Sequence, residues 1–446
     1  MYLADSRSTD PRSTDSRTTE AAVVPDSRPG RRPAAVPATV LALGAVSLIT
    51  DVSSEMVTAV LPLYVVVGLG LSPLGFGLLD GINNGVGALV RLVGGHFADR
   101  GGRGHKAVAG LGYGLSALCK PLLLLAHTLP VLSAVLAVDR TGKGLRTAPR
   151  DAMISLATEP AHRGRAFGVH RAMDTTGALL GPLAAFAVLR ATVDGYDAVF
   201  AVSGCVAVLG VLVLVLFVPG HRTQATAVQP PQRERPLLRD SLGLLRRPEL
   251  RRLTVCASLL GLTTVSDSFL YLLLQRQGDL PAHLFPLLPL GTAAFFLLLA
   301  VPLGALADRV SRRRLFLAGH GVLLLGYGLV LSPWHGVPAV IAFLVLHGTF
   351  YAATDGVLAA ATAGVVPAQH QGAGQALVGT GQALARFVCS LTFGAAWSLW
   401  GGRTALAATA TALAAAAVVA SFVFRPTEVA PAAPQEAPTT PDEVSA

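Results

Sequence analysis

The stretch Asp139-Arg-Thr-Gly-Lys143-Gly-Leu-Arg146-Thr-Ala-Pro-Arg150-Asp151 puts charge where its flanks, Val131 to Val138 and Ala152 to Ala157, are apolar. On a helix, Asp139, Lys143, Arg146 and Arg150 fall on one face in a stripe about 60° wide. A charge at the centre of a membrane helix costs roughly 2.5 to 3.5 kcal/mol on the lenient insertion scale, so such a face turns to a water-filled path or to counter-charges. The chemistry available to it is binding of an anionic group, proton exchange with a nearby acid, or a fixed ion-pair lock.

Other apolar segments carry charge too. The acids are Asp51, Glu55, Asp80, Asp139, Asp151, Asp174, Asp267 and Asp355, and the bases are Arg91, Lys120, Arg140, Lys143, Arg146, Arg150, Arg171 and Arg386. Left unpaired, the set would cost on the order of 45 kcal/mol, so most must be paired or hydrated. Asp51, Ser54, Glu55 and Thr58 share one helical face and form the natural partner of the Asp139–Arg150 stripe. Arg171 and Asp174 are three apart and can pair along their own helix. His170 and His347 lie within apolar segments and are expected to serve helix packing.

The elements that position these charges are membrane helices. With 446 residues, 52% hydrophobic and 14% charged, the chain is too apolar for a soluble protein. Twelve apolar segments, each near or above the length a spanning helix needs, run over 38–68, 73–98, 106–128, 130–157, 163–190 and 196–218, then 252–275, 282–307, 314–332, 337–366, 371–398 and 402–424. Residues 1–37 form a polar tail expected to be disordered and uncleaved, 425–446 is expected to be disordered too, and 219–251 is a Pro-rich linker whose second part suits an interfacial helix. The expected fold is therefore all-α, as an N-terminal six-helix bundle (38–218) and a C-terminal one (252–424). Basic residues crowd the tail, the central linker and the 2–3, 4–5 and 8–9 loops, which predicts cytoplasmic termini. The net charge of +9 is thus mostly topological, and nucleic acid is not an expected partner. The four cysteines are isolated, with no metal or redox spacing.

The halves echo each other. Gly95-His-Phe-Ala-Asp99-Arg100-Gly-Gly-Arg103-Gly-His-Lys106 answers Gly304-Ala-Leu-Ala-Asp308-Arg309-Val-Ser-Arg312, and Pro160-Ala-His162-Arg-Gly164 answers Pro367-Ala-Gln-His370-Gln-Gly372. Two echoes in register indicate a duplicated six-helix unit with a midplane site between the halves. At these residues the chain resembles the major facilitator superfamily, whose 2–3 loop signature looks like the Asp99 loop. Arg140-x-x-Lys143-Gly144 is similar to a pattern of its proton-coupled members. Gly177-Ala-Leu-Leu-Gly181-Pro182 looks like its exporter motif, although Leu183, Ala184 and Ala185 stand where a glycine pair usually follows. Asp51-Val-Ser-Ser-Glu55-Met56 with Gly142-Lys-Gly-Leu-Arg-Thr-Ala-Pro-Arg-Asp-Ala152 resembles a group of poorly characterised prokaryotic permeases.

The resemblance implies that spans 1, 4, 7 and 10 surround a central cavity. Asp51, Glu55, Asp139, Arg140, Lys143, Asp267 and Asp355 are then expected on its wall, to couple protons and bind solute. It also implies a cytoplasmic gate of Asp99, Arg100, Arg103, Arg146, Arg150, Asp151, Asp308 and Arg309. Gly77, Gly81 and Gly85, and Gly177, Gly181 and Pro182, are expected to serve close helix packing and bending. The implied function is proton-coupled export of a small solute by alternating access across the inner membrane of a prokaryote. Proton-coupled uptake or exchange of an anionic metabolite is the alternative, and a sensor or membrane enzyme a remote one. No Gly-x-x-x-x-Gly-Lys-Ser/Thr loop is present, so ATP is not an expected energy source. The expected partners are the solute, protons and the lipid bilayer, with no cofactor, and a monomer suffices.

Overall fold

The computed structural model describes residues 36–97, 105–192, 195–219, 243–278, 280–367 and 370–423. Asn84, residues 87–97, Ala161, Asp308 and Gly372 are described in their backbone alone. The terminal tails, most of the linker, and Asp99, Arg100 and Arg103 lie outside the described residues.

Among the described residues the fold is helical throughout. The N-terminal half comprises α1 (Ala38–Leu63), α2 (Pro73–Phe97), α3 (His105–Leu122), α4 (Leu129–Leu156), α5 (Arg163–Ala191) and α6 (Tyr196–Phe217). The C-terminal half comprises α7 (Pro248–Gly261), α8 (Asp267–Gly278), α9 (Leu287–Arg309), α10 (Arg312–Leu331), α11 (Val337–Val365), α12 (Gln371–Trp400) and α13 (Gly402–Val423). Nine described helices are long and apolar enough to cross a membrane. Those that fall short do so for local reasons. The helix α4 carries the charged stripe, α2 carries Asp80 and a stretch described only in backbone, and the seventh span is divided between α7 and α8.

That division departs from the single helix expected over 252–275. The hydroxyls of Thr263 and Thr264 donate back to the carbonyl of Leu260 at 3.0 and 2.8 Å, competing with the helix ladder. Tyr327 of α10 satisfies the freed backbone: its hydroxyl accepts from Val265 N at 2.7 Å and donates to the Thr263 carbonyl at 3.2 Å. Irregular backbone at membrane depth survives only where protein partners or a cavity satisfy it. Here it turns Val265, Ser266 and Asp267 toward a cavity.

Close backbone approach organises the N-terminal half. A Cβ on Gly112 would stand 2.7 Å from the Gly142 carbonyl, and one on Gly142 would stand 2.7 Å from that of Gly112, so α3 and α4 meet glycine to glycine. Likewise α5 lies on α1 because Gly181 leaves room beside Glu55, Val52 and Met56. Ser53 and Ser203 tie α1 to α6 by reciprocal hydroxyl-to-carbonyl bonds of 2.8 Å each.

The halves join at the end where α2 starts and α12 finishes, opposite the basic loops. Gly77, Gly81 and Gly85 of α2 face Ser390 and Phe387 of α12 there, and Gly394 of α12 faces Pro73 and Leu74. Phe76, Phe269, Phe393 and Trp397 form an aromatic cluster across the join, with Phe269 4.9 Å from both Phe76 and Phe393, centroid to centroid. Leu74 N donates to Ser398 Oγ at 3.1 Å.

Candidate functional site

Two cavities lie behind the join and meet at Glu55 and Asn83, which line both. The deeper one, about 250 Å³, lies between the halves, with Glu55, Thr58, Asp80, Ser266, Asp267, Tyr271, Tyr351, Arg386 and Ser390 on its wall. The other, about 530 Å³, is walled by the N-terminal half: Asp51, Glu55, Arg140, Lys143, Arg146, Arg150, Arg171 and Asp174. Across both, six cations (Arg140, Lys143, Arg146, Arg150, Arg171 and Arg386) face five acids (Asp51, Glu55, Asp80, Asp174 and Asp267), an excess of one positive charge.

The stripe on α4 meets the acids of α1. Lys143 Nζ lies 3.5 Å from Glu55 Oε1 and 3.9 Å from Asp51 Oδ1, and Arg146 Nη2 lies 3.2 Å from Asp51 Oδ1. Arg146 is buried, and its guanidinium stacks over the Tyr113 ring at 4.4 Å. Glu55 and Lys143 keep 28% and 33% of their side-chain surface open, whereas Asp51 keeps 10%, so the Glu55 pair is the looser and wetter one. Arg140 donates to Thr58 Oγ1 at a long 3.4 Å, and its Nε is buried without a hydrogen-bond partner.

Toward the basic loops, Arg150 gathers a second group. Its Nε bonds Asp151 at 3.1 Å, its Nη1 lies 3.7 Å from Asp174, and it donates to Ser47 Oγ at 3.4 Å. Ser47 in turn lies 3.1 Å from His170 Nε2, and Arg171 pairs with Asp174 at 3.6 Å. Asp174 thus belongs to the cavity and binds α5 to α4, in addition to the pair along its own helix. Arg146 and Arg150, expected at the gate, line the larger cavity here.

Asp139 sits elsewhere. It is buried between α3 and α4, where Ser116 Oγ donates to it at 2.5 Å and Lys120 Nζ at 3.0 Å, and it lines neither cavity. In the C-terminal half, Asp267 Oδ1 accepts from Tyr351 at 2.7 Å and lies 3.3 Å from His347 Nε2. Asp355 is exposed and lines a side cavity of about 230 Å³ with Asp267, Thr292 and Tyr351. Arg309 is exposed at the end of α9.

Sequence reasoning passed over Asn83, Tyr271 and Tyr351 in the deeper cavity, and it read Asp80 as one of the acids of the apolar segments without placing it there. Asp80 spans the join, accepting from Ser266 at 2.8 Å and from Ser390 at 2.6 Å. Its signal was present, an acid inside the Gly77–Gly81–Gly85 row of a close-packed helix. Among the described residues no group of three or more His, Cys, Asp or Glu is disposed to hold a metal.

The arrangement is thus two adjoining polar, charged cavities, one of them between the halves, behind a join at one end. Solved structures share the fold. A nucleoside transporter, NupG, superposes with a TM-score of 0.71 at 13% identity, covering 87% of this chain and 99% of its own. A bacterial homologue of the human lysosomal transporter Spinster, in an inward-facing and unoccupied conformation, gives 0.70 at 15% identity over 86% and 97%. In sequence, an uncharacterised MFS-type transporter of Methanocaldococcus jannaschii is 28% identical over 327 residues, 70% of this chain and 76% of that protein. An uncharacterised protein of Mycobacterium tuberculosis is 35% identical over 158 residues, 35% of this chain and 38% of that one. The Major Facilitator Superfamily model matches residues 43–295 and 280–446. The chain is a multi-pass membrane transporter, not an enzyme, and belongs to the Major Facilitator Superfamily.

Proposed function

We propose that this protein is a proton-coupled antiporter that exports a small solute across the cytoplasmic membrane of a prokaryote by alternating access, with Glu55 as the proton-exchanging group. The observation that carries this reading is the position of Glu55. It lines both cavities, and it is held by a loose pair with Lys143 at 3.5 Å. The other cavity acids Asp80 and Asp267 are each tied by two donors, and Asp51 by Arg146 as well as Lys143. Movement of α1 against α4 would exchange Lys143 for water beside Glu55 and so change its hold on a proton.

Export rests on the Gly177–Gly181–Pro182 motif, which seats α5 directly against Glu55. The basic loops orient the joined end outward and the larger cavity toward the cytoplasm. Asp99 with Arg100, Arg103, Asp308 and Arg309 would close that end in the opposite state. The cationic excess of the cavities favours a second reading, proton-coupled uptake or exchange of an anionic metabolite.

Proton flux in proteoliposomes tests the proposal. Wild type should move protons on addition of a transported solute, and Glu55→Gln should lose that movement by tenfold or more while still binding the solute. The direction of proton movement relative to the solute separates antiport from symport. Undiminished movement in Glu55→Gln would remove Glu55 from the coupling role.

A further inference from the structure

We infer that Arg386 receives the anionic group of the transported solute, and that this solute is a small carboxylate bearing hydroxyl groups. The inference rests on the transport reading above and adds to it the chemistry of the cargo. Arg386 lies on α12 and faces the 250 Å³ cavity from the C-terminal half. Among the described residues it makes no hydrogen bond and no ion pair, and its Nε is buried without a partner. A guanidinium held in that way at membrane depth is costly, and it persists where it has work to do.

The acids facing the same cavity are engaged with other groups. Glu55 pairs with Lys143, Asp80 accepts from Ser266 and Ser390, and Asp267 accepts from Tyr351 beside His347. Arg386 is the one cation on the wall of that cavity among the described residues; Lys143 answers Glu55 from the neighbouring cavity, and Asp80 and Asp267 are held by hydroxyl donors. Arginine offers a planar fork of donors that matches a carboxylate with two parallel bonds.

The rest of the wall defines the remainder of the solute. Ser266 and Ser390 spend their protons on Asp80, Tyr351 on Asp267 and Tyr271 on Thr292, so what these hydroxyls have left to offer a ligand is acceptor lone pairs. Such a wall suits a ligand that supplies its own donors, as hydroxyl groups do. The volume lies below the range of roughly 300–1,000 Å³ that takes drug-sized ligands, which points to a compact metabolite.

Thermal stabilisation of the purified full chain in detergent, with matched probes, tests this. The probes are lactate against lactamide, gluconate against glucitol, and inorganic phosphate as a non-carboxylate anion. At least one carboxylate should raise the melting temperature while its neutral partner does not. Arg386→Gln should weaken the apparent affinity for it at least tenfold, and Arg386→Lys, which keeps the charge without the fork, should fall between. Equal stabilisation by a neutral partner, stabilisation by phosphate alone, none by any carboxylate, or unchanged affinity in both variants would each overturn the assignment. The same variants in proteoliposomes separate it from the transport reading. Proton movement driven by a neutral or cationic solute and unaltered in Arg386→Gln would overturn the role of Arg386 and leave transport standing. Carboxylate binding that depends on Arg386 without proton movement would keep the anion site and remove the transport reading.

Discussion

At the scale of single residues, the membrane sorts charges into two kinds. Lys120 and Asp139, each with 4% of its side chain exposed, form a sealed pair with Ser116. Breaking such a pair leaves one uncompensated charge, whereas replacing both members with apolar residues costs little. Asp139→Leu alone should therefore lower the unfolding free energy in detergent by about 3–5 kcal/mol. Lys120→Met with Asp139→Leu should restore part of it, since Arg140, whose Nε stands 3.9 Å from the other Asp139 oxygen, still loses a counter-charge. A double variant as unstable as the single one would contradict this. The open pair of Glu55 with Lys143 belongs to the second kind, accessible from the cavities and proposed above to exchange a proton. The sequence made the facing of α1 and α4 legible, because helical spacing fixes which charges share a face. It could not assign Asp139, because Lys120 lies on a different helix and its approach depends on the Gly112–Gly142 contact. Arg386 and Asp80 were legible as charges within apolar segments, but their surroundings were not, since both depend on how the two halves meet.

At the scale of elements, glycine sets how near α5 comes to α1, and hence where Glu55 stands. A Cβ on Gly181 would lie 2.6 Å from Glu55 Cβ and 2.9 Å from the Val52 carbonyl, with backbone on both sides unable to yield. Gly181→Val should cost about 1–3 kcal/mol of stability through overpacking. It should also reduce solute-dependent proton movement more than it reduces solute binding, because it displaces the acid proposed to exchange the proton. A variant with wild-type melting temperature and coupling would show that this contact does not position Glu55. Long apolar runs made eleven of the spans readable as helices, but the break between α7 and α8 was not. Thr263 and Thr264 are ordinary residues of a membrane helix until Tyr327, some sixty positions later, offers to satisfy the backbone they release.

At the scale of the whole molecule, two bundles enclose a polar cavity between them that adjoins a second in the N-terminal half, and they close at one end. The join of α2 with α12 is dense: glycines against Phe387 and Ser390, the aromatic cluster, and Asp80 bonded to two serines of the other half. The internal repeat announced this plan, since two echoes in register predict two similar bundles with a site between them. The repeat gives no conformation, and the closed end emerges from side-chain packing alone. Alternating access requires that this join part in each cycle. A Cβ built on Gly85 would stand 3.8 Å from the Cβ of Phe387, a separation suited to a disulfide. The decisive measurement is solute-driven proton movement by Gly85→Cys/Phe387→Cys, with Cys119, Cys205, Cys256 and Cys389 replaced, before and after oxidation. Alternating access predicts that quantitative cross-linking abolishes movement and that reduction restores it. Full movement through a completely cross-linked protein would contradict it.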